Sequence, residues 1–224
     1  MEGKRLMPKV KICGNTNLDD AQKAVQFGAD YLGVIFTESK RRIDPDDALK
    51  IIQAMPDFKN FVGVFFNQPK KEVEEIAQKL KLKFLQFHGE EPALYCRYFQ
   101  DKGYEVIKTF RIKDSMSLKR IDEYNVSAFL FDTFSKEEGG GTGKTFDWAI
   151  IEKQPFLTDK LFLAGGLTIE NVEEAIRKIH PFAVDVASGV EKSPGKKDEN
   201  LLETFIRKAK SGAHQNAQTR PLHP

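Results

Sequence analysis

The sequence predicts a single closed barrel of eight βα repeats, on three observations. Short apolar strands alternate with amphipathic helical stretches through eight repeats, which favours an α/β architecture closed as a (β/α)8 barrel over an open sheet. The strand runs are apolar at nearly every position, as in residues 61–66, FVGVFF; parallel strands covered on both faces read this way. The last two strands, 160–164 and 183–186, break into Ala164-Gly165-Gly166 and Ala187-Ser188-Gly189. Small residues there let backbone N–H groups approach a ligand closely, and two such turns side by side form a donor nest suited to a phosphate. In eight-fold barrels of the TIM type, the loops after the final two strands are the habitual phosphate site.

The remaining elements follow in order. Residues 10–13 form a first strand, and Gly14-Asn15-Thr16-Asn17 carries turn chemistry. Asn17 caps a helix over 18–27 that stops at Gly28. A second strand, 31–36, leads to the basic loop Ser39-Lys40-Arg41-Arg42, and Pro45 opens a helix to residue 54. Strand three is 61–66 and helix three 70–80; strand four is 84–87 and helix four 93–100. Strand five is 104–108, followed by a weak helix over 115–122, and strand six is 128–131, ending at Asp132. A glycine-rich loop, 133–144, is long enough to be functional. A short helix over 146–153 precedes strand seven, and 199–210 is the eighth helix. The barrel is expected to span 8–210 as one domain, with residues 1–7 and the polar tail 211–224 loose.

Composition narrows the function class. The 224 residues include 35 basic and 33 acidic side chains, so no bulk charge draws the chain to nucleic acid or a membrane surface. No apolar run reaches the length a membrane helix needs, and MEGKRLMPKV lacks the apolar core of a signal peptide. Only Cys13 and Cys96 are present, which suits a reducing, cytoplasmic setting rather than a disulfide framework.

Several residues carry candidate chemistry, each beside a plainer reading. Cys13 ends the first strand, where barrels present catalytic groups; as a free cysteine it also reads as a small buried apolar residue. Alternation places Lys11 on the same face. A lysine inside a barrel needs a partner, and Asp185 of the adjoining last strand is the expected one. Asp132 sits at a strand end, as either an acid or a turn cap. His88 lines the mouth or makes a structural hydrogen bond, and Cys96, mid-helix, packs. Arg41 or Arg42 offers a guanidinium for a planar carboxylate. Gly143-Lys144-Thr145 invites a nucleotide reading, but a P-loop needs glycine where Glu138 stands; a flexible cover over a strand-end site fits better.

Taken together, KICGNTN, SKRRIDP, VGVFFN, QFHGEE, FDTF with GGTGKTFDW, LAGGLTIENV and DVASGVEKSPGKKD resemble the phosphoribosylanthranilate isomerase family of tryptophan biosynthesis. The resemblance covers about residues 8–210. It implies a TIM barrel and an Amadori rearrangement of N-(5-phosphoribosyl)anthranilate to 1-(2-carboxyphenylamino)-1-deoxyribulose 5-phosphate. Asp132 is then the general acid on the ring oxygen, kept protonated by burial, and Cys13 the base at the neighbouring carbon, its thiolate favoured by the cationic intermediate and by Lys11. The implied substrate-binding set is Arg41 for the anthranilate carboxylate, with His88, Gly141, Gly143, Gly165, Gly166, Asp185, Ser188 and Gly189, the phosphate being held on backbone donors at Gly165, Gly166, Ser188 and Gly189 beside a short helix. Ala187 stands where serine is frequent, and Arg42 could exchange roles with Arg41. No metal or cofactor is implied, and no nucleic acid or membrane partner; the chain is expected to be a monomer or homodimer. Two competing readings are a neighbouring indole-glycerol-phosphate synthase, which calls for a lysine acid and a glutamate base, and a phosphosugar-binding regulator without chemistry.

Overall fold

The computed structural model describes residues 7–133 and 159–211. Eight parallel strands close into a barrel in chain order. They are β1 (Lys9–Ile12), β2 (Tyr31–Ile35), β3 (Phe61–Phe65), β4 (Phe84–Phe87), β5 (Glu105–Ile112), β6 (Ala128–Thr133), β7 (Leu161–Leu163) and β8 (Ala183–Val186). Closure joins β1 to β8, pairing Lys9 with Ala183, Lys11 with Asp185 and Ile12 with Val186.

The helices follow from local signals. In α1 (Leu18–Gln26) the Asn17 side chain accepts from Asp20 N, and the chain leaves through Gly28 at φ 106°, a backbone region that glycine adopts at no steric cost. In α2 (Pro45–Ala54) Pro45 fills the first helical position and Asp44 accepts from Asp46 N. The others are α3 (Lys70–Lys79), α4 (Ala93–Gln100), α5 (Val172–Ile179) and α6 (Glu199–Ser211). α5 ends on His180 in the left-handed region at φ 51°, and Pro181 then bars any continuation.

Two apolar layers separate the faces of the sheet. Val10, Ile12, Leu85, Phe87, Phe129 and Phe131 pack outward against the helices. Val62, Ile107, Ala128, Leu130, Phe162 and Ala183 fill the interior. Within the barrel Tyr31 meets Phe84 and Phe162 edge-on, both at 5.4 Å between ring centroids, and these rings stop the N-terminal end. Fully burying each large apolar side chain contributes about 1.5–3 kcal/mol. Towards the strands' C-terminal ends the same inner face turns polar.

Most elements fall where the sequence puts them; four do not. β5 runs on to Ile112, because Thr109 to Ile112 find a continuing partner in Leu130 to Thr133 of β6. The helix expected over 115–122 is two 3-10 turns, Ser115–Leu118 and Ile121–Glu123, the first closed by an Asp114–Ser117 capping box. β7 is shorter than 160–164. After β8 a 3-10 turn, Ser188–Val190, leads into an unanticipated hairpin of β9 (Glu191–Ser193) and β10 (Lys196–Lys197). The glycine-rich loop beyond 133, with Gly141 and Gly143, and the helix expected over 146–153 lie outside the described residues, as do 1–6 and most of the expected tail.

Candidate active site

The polar end of the barrel is built from β1 outward. Lys11 is fully buried and donates to Asp185 Oδ1 at 2.9 Å, the pair that strand alternation and closure require. Burial opposes its charge, but Asp185 and Cys13 outweigh that and hold Lys11 above the usual lysine value. Replacing Lys11 by methionine leaves Asp185 buried without its cation, a loss expected to cost about 3–5 kcal/mol. A urea midpoint equal to the parent's would show that the pair contributes nothing.

Cys13, two residues on, lies on the same inner face and is 7% exposed. Its room comes from β2: a Cβ on Gly33 would stand 2.7 Å from the Cys13 Sγ and 3.1 Å from Lys11 Nζ. A glycine in a strand interior marks such a close approach, and that signal was available in the sequence but unread. Burial pushes the thiol up, while Lys11 and Lys197 pull it down and Asp185 pushes it up again. Lys11 thus favours the thiolate, as the sequence suggests, but burial outweighs it and the net direction is upward. Cys96, by contrast, packs inside α4, its thiol pushed up by burial to about 12.

Across the barrel, β6 presents Asp132. Ala128 and Leu130 point inward, so Asp132 shares their face. Its carboxyl is 30% exposed and faces His88 Nε2 at 3.4 Å. The expectation of a buried Asp132 is therefore corrected: the sheet covers it on one side, and the mouth opens on the other. His88 Nδ1 lies 3.0 Å from the Gln86 amide nitrogen. The loop bearing His88 is pinned on both sides. Lys108 donates to Phe87 O, Gly89 O and Glu91 Oε2, while Glu91 Oε1 accepts from Asn67 N and Gly89 N. Sequence reasoning missed Lys108 and Glu91; only their type at strand five and in the QFHGEE run could have signalled them.

The two arginines are now distinguished. Arg42 is exposed, whereas Arg41 is 9% exposed and turned inward. Its stem lies against Gly14, which follows Cys13 at φ 74°; a Cβ there would come within 2.8 Å of Arg41 Cδ. Arg41 pairs with Glu191 through Nε and Nη2 at 2.8–3.0 Å, and Glu191 also accepts from Lys197 Nζ at 2.9 Å. Neither Glu191 nor Lys197 was singled out from sequence, since the hairpin that delivers them was not foreseen.

The loops after β7 and β8 come together as the small residues suggest. Gly165 and Gly166 adopt φ 83° and 66°, and Asn171 locks that loop by donating to Gly166 O and accepting from Thr168 N. Gly189 sits so close that a Cβ would lie 2.1 Å from Leu167 O. Both loops lie beyond the C-terminal ends of β7 and β8, on the same end of the barrel as Cys13 and Asp132.

Known proteins share both the sequence and this architecture. The family described as N-(5'phosphoribosyl)anthranilate (PRA) isomerase matches residues 10–208. The N-(5'-phosphoribosyl)anthranilate isomerase of Pelobacter propionicus is 46% identical over 205 residues, 91% of this chain and 96% of that protein. The protein of the same name from Caldanaerobacter subterraneus is 47% identical over 204 residues, 91% of this chain and 98% of its own. The crystal structure of phosphoribosyl anthranilate isomerase from Thermotoga maritima superposes with a TM-score of 0.85 at 42% identity, covering 92% of this chain and all of that one. A further structure, 40% identical with a TM-score of 0.81, is phosphoribosyl anthranilate isomerase in complex with reduced 1-(o-carboxyphenylamino)-1-deoxyribulose 5-phosphate, and it covers 92% of this chain and 100% of its own. With the family's pattern running through all eight strands, the chain belongs to the N-(5'-phosphoribosyl)anthranilate isomerase family.

Proposed function

We propose that this enzyme isomerises N-(5-phosphoribosyl)anthranilate to 1-(2-carboxyphenylamino)-1-deoxyribulose 5-phosphate in tryptophan biosynthesis, with Asp132 as general acid and Cys13 as general base. The observation that carries the assignment of roles is placement: a thiol from β1 and a carboxyl from β6 both point inward at the strands' C-terminal ends.

Asp132 gives its proton to the furanose ring oxygen as the C1–O bond breaks, and the nitrogen lone pair forms a protonated Schiff base. Cys13 takes the proton from C2, the electron pair of that C–H bond moves into the C1–C2 bond, and the iminium becomes neutral. The resulting enolamine tautomerises to the C2 ketone, so atoms and electrons balance within one molecule. The iminium is the electron sink, which is why the chemistry asks for no metal or organic cofactor. The same cation explains how a thiol held up by burial serves as a base: its positive charge arises next to the sulfur only after ring opening, and it favours the thiolate at that moment.

Binding follows the polarity of the mouth. The phosphate rests on the donors of Gly165, Gly166, Ser188 and Gly189. Asp185 faces the ribose hydroxyls while it holds Lys11, and Arg41 receives the anthranilate carboxylate. His88 Nε2 faces Asp132 and helps to position its carboxyl. The glycine-rich loop with Gly141 and Gly143 is read as a cover over the substrate. The barrel as a unit is read as residues 8–210.

Purified protein mixed with freshly made phosphoribosylanthranilate is expected to change the anthranilate fluorescence as the ribosylamine becomes the ketose. Absence of any change above the uncatalysed rate would remove this reading.

A further inference from the structure

We infer that Phe66 is a positioning residue for the acid: by stacking on Arg111 it keeps that guanidinium off Asp132, whose oxygen must deliver the proton. This rests on the reading of Asp132 as general acid given above, and it concerns two residues that the proposed chemistry does not otherwise use.

The arginine stands beside the acid because β5 is longer than the sequence predicts. Ile107 faces the barrel interior and Thr109 meets Gln86 of β4 at 3.4 Å, so alternation brings Arg111 to the same side. In the ladder between β5 and β6, Arg111 is the direct partner of Asp132. Adjacent strands run about 4.8 Å apart, well inside the reach of an arginine side chain. The backbone therefore offers an ion pair between the two. It does not form. Among the described residues no carboxylate lies within ion-pair distance of Arg111, and its guanidinium carbon sits 5.2 Å from the centroid of the Phe66 ring, just past β3. Arg111 is exposed and Phe66 half-buried. The acid instead faces His88 Nε2 at 3.4 Å. Among the described residues, His88 after β4 and Arg111 of β5 are the titratable or charged groups on that side of Asp132; on the other side β7 brings only Leu161, Phe162 and Leu163.

Two modest attractions compete for one cation. A guanidinium over an aromatic face and an ion pair at a partly exposed carboxylate are of similar strength, so removing the ring is enough to move the arginine. A guanidinium held by Asp132 favours the carboxylate form and occupies its oxygens with charge-assisted bonds. An acid so occupied has no proton to give the sugar's ring oxygen.

The experiment sets Phe66→Leu, Arg111→Gln and the double variant beside the parent, with kcat and KM measured on phosphoribosylanthranilate. Phe66→Leu keeps an apolar side chain without an aromatic face, and its kcat is expected to fall by about fivefold or more. Arg111→Gln alone should stay within about twofold of the parent. The double variant should also return to within about twofold, since the cation that blocks the acid is gone. A parental kcat in Phe66→Leu would overturn the inference, as would an Arg111→Gln variant that loses as much. So would a double variant no better than Phe66→Leu, the mark of a ring that touches substrate or fills space. Should Phe66→Leu fail to fold, Arg111→Lys keeps the charge without the planar face; it should lose kcat where Arg111→Gln does not, and equal values would overturn the inference. A crystal structure of Phe66→Leu reads the placement without turnover: the guanidinium should lie within about 3 Å of an Asp132 oxygen, and one that stays away would overturn the inference. Failure of the isomerase reading looks different, because the parent would then convert no phosphoribosylanthranilate while the arginine still moved.

Discussion

Cys13→Ala is expected to lower kcat on phosphoribosylanthranilate by about 10² or more while KM changes little. The substitution keeps both members of the Lys11–Asp185 pair. The small void beside Gly33 replaces a thiol that is 7% exposed, so the stability cost is that of one small apolar group. Steady-state kinetics with a thermal melt on the same sample separates the two effects. A near-parental kcat in a folded variant would take the cysteine out of the proton transfer. The size of the expected loss follows from the proposed role of the thiol as base, with no other base proposed at that carbon. Lys11 and Lys197 are both committed to carboxylates.

Asp132→Asn is expected to cost about 10² to 10⁴ in kcat, because an amide cannot supply the proton that releases the ring oxygen. The substitution is close to isosteric. Asparagine keeps an oxygen to face His88 Nε2, now 3.4 Å from the carboxylate, so the loop and strand should hold their places. The partial exposure of Asp132 matters here. The carboxyl is 30% exposed at the mouth and faces His88 Nε2 from β6. Turnover within about tenfold of the parent would show that ring opening does not depend on this acid.

The parts of the site legible in the sequence are those set by local rules. Strand alternation puts Lys11 and Cys13 on one face, and barrel closure brings Asp185 to Lys11. Small residues after β7 and β8 mark where the two loops approach each other, and Gly189 has no space for a side chain against Leu167 O. What escaped is non-local. The exposure of Asp132 depends on how β6 meets the mouth, and β5 lengthens only because β6 extends beside it. Arg41 and Arg42 are neighbours in a run of three basic residues, so the sequence left both open. The bridge between Ile35 and Arg42 and the approach of Glu191 turn one inward and leave the other in water. The hairpin carrying Glu191 and Lys197 is two and three residues to a strand, below the length at which an alternation pattern can be recognised.

Lys197 reaches back 184 positions to the carbonyl of Cys13, and Asp185 lies 174 positions from the lysine it neutralises. During synthesis the first strand therefore leaves the ribosome long before its partners exist, with an ammonium and a thiol that nothing yet shields. The candidate site becomes whole only as the final hairpin settles against the opening segment, when nearly all of the described barrel has been made.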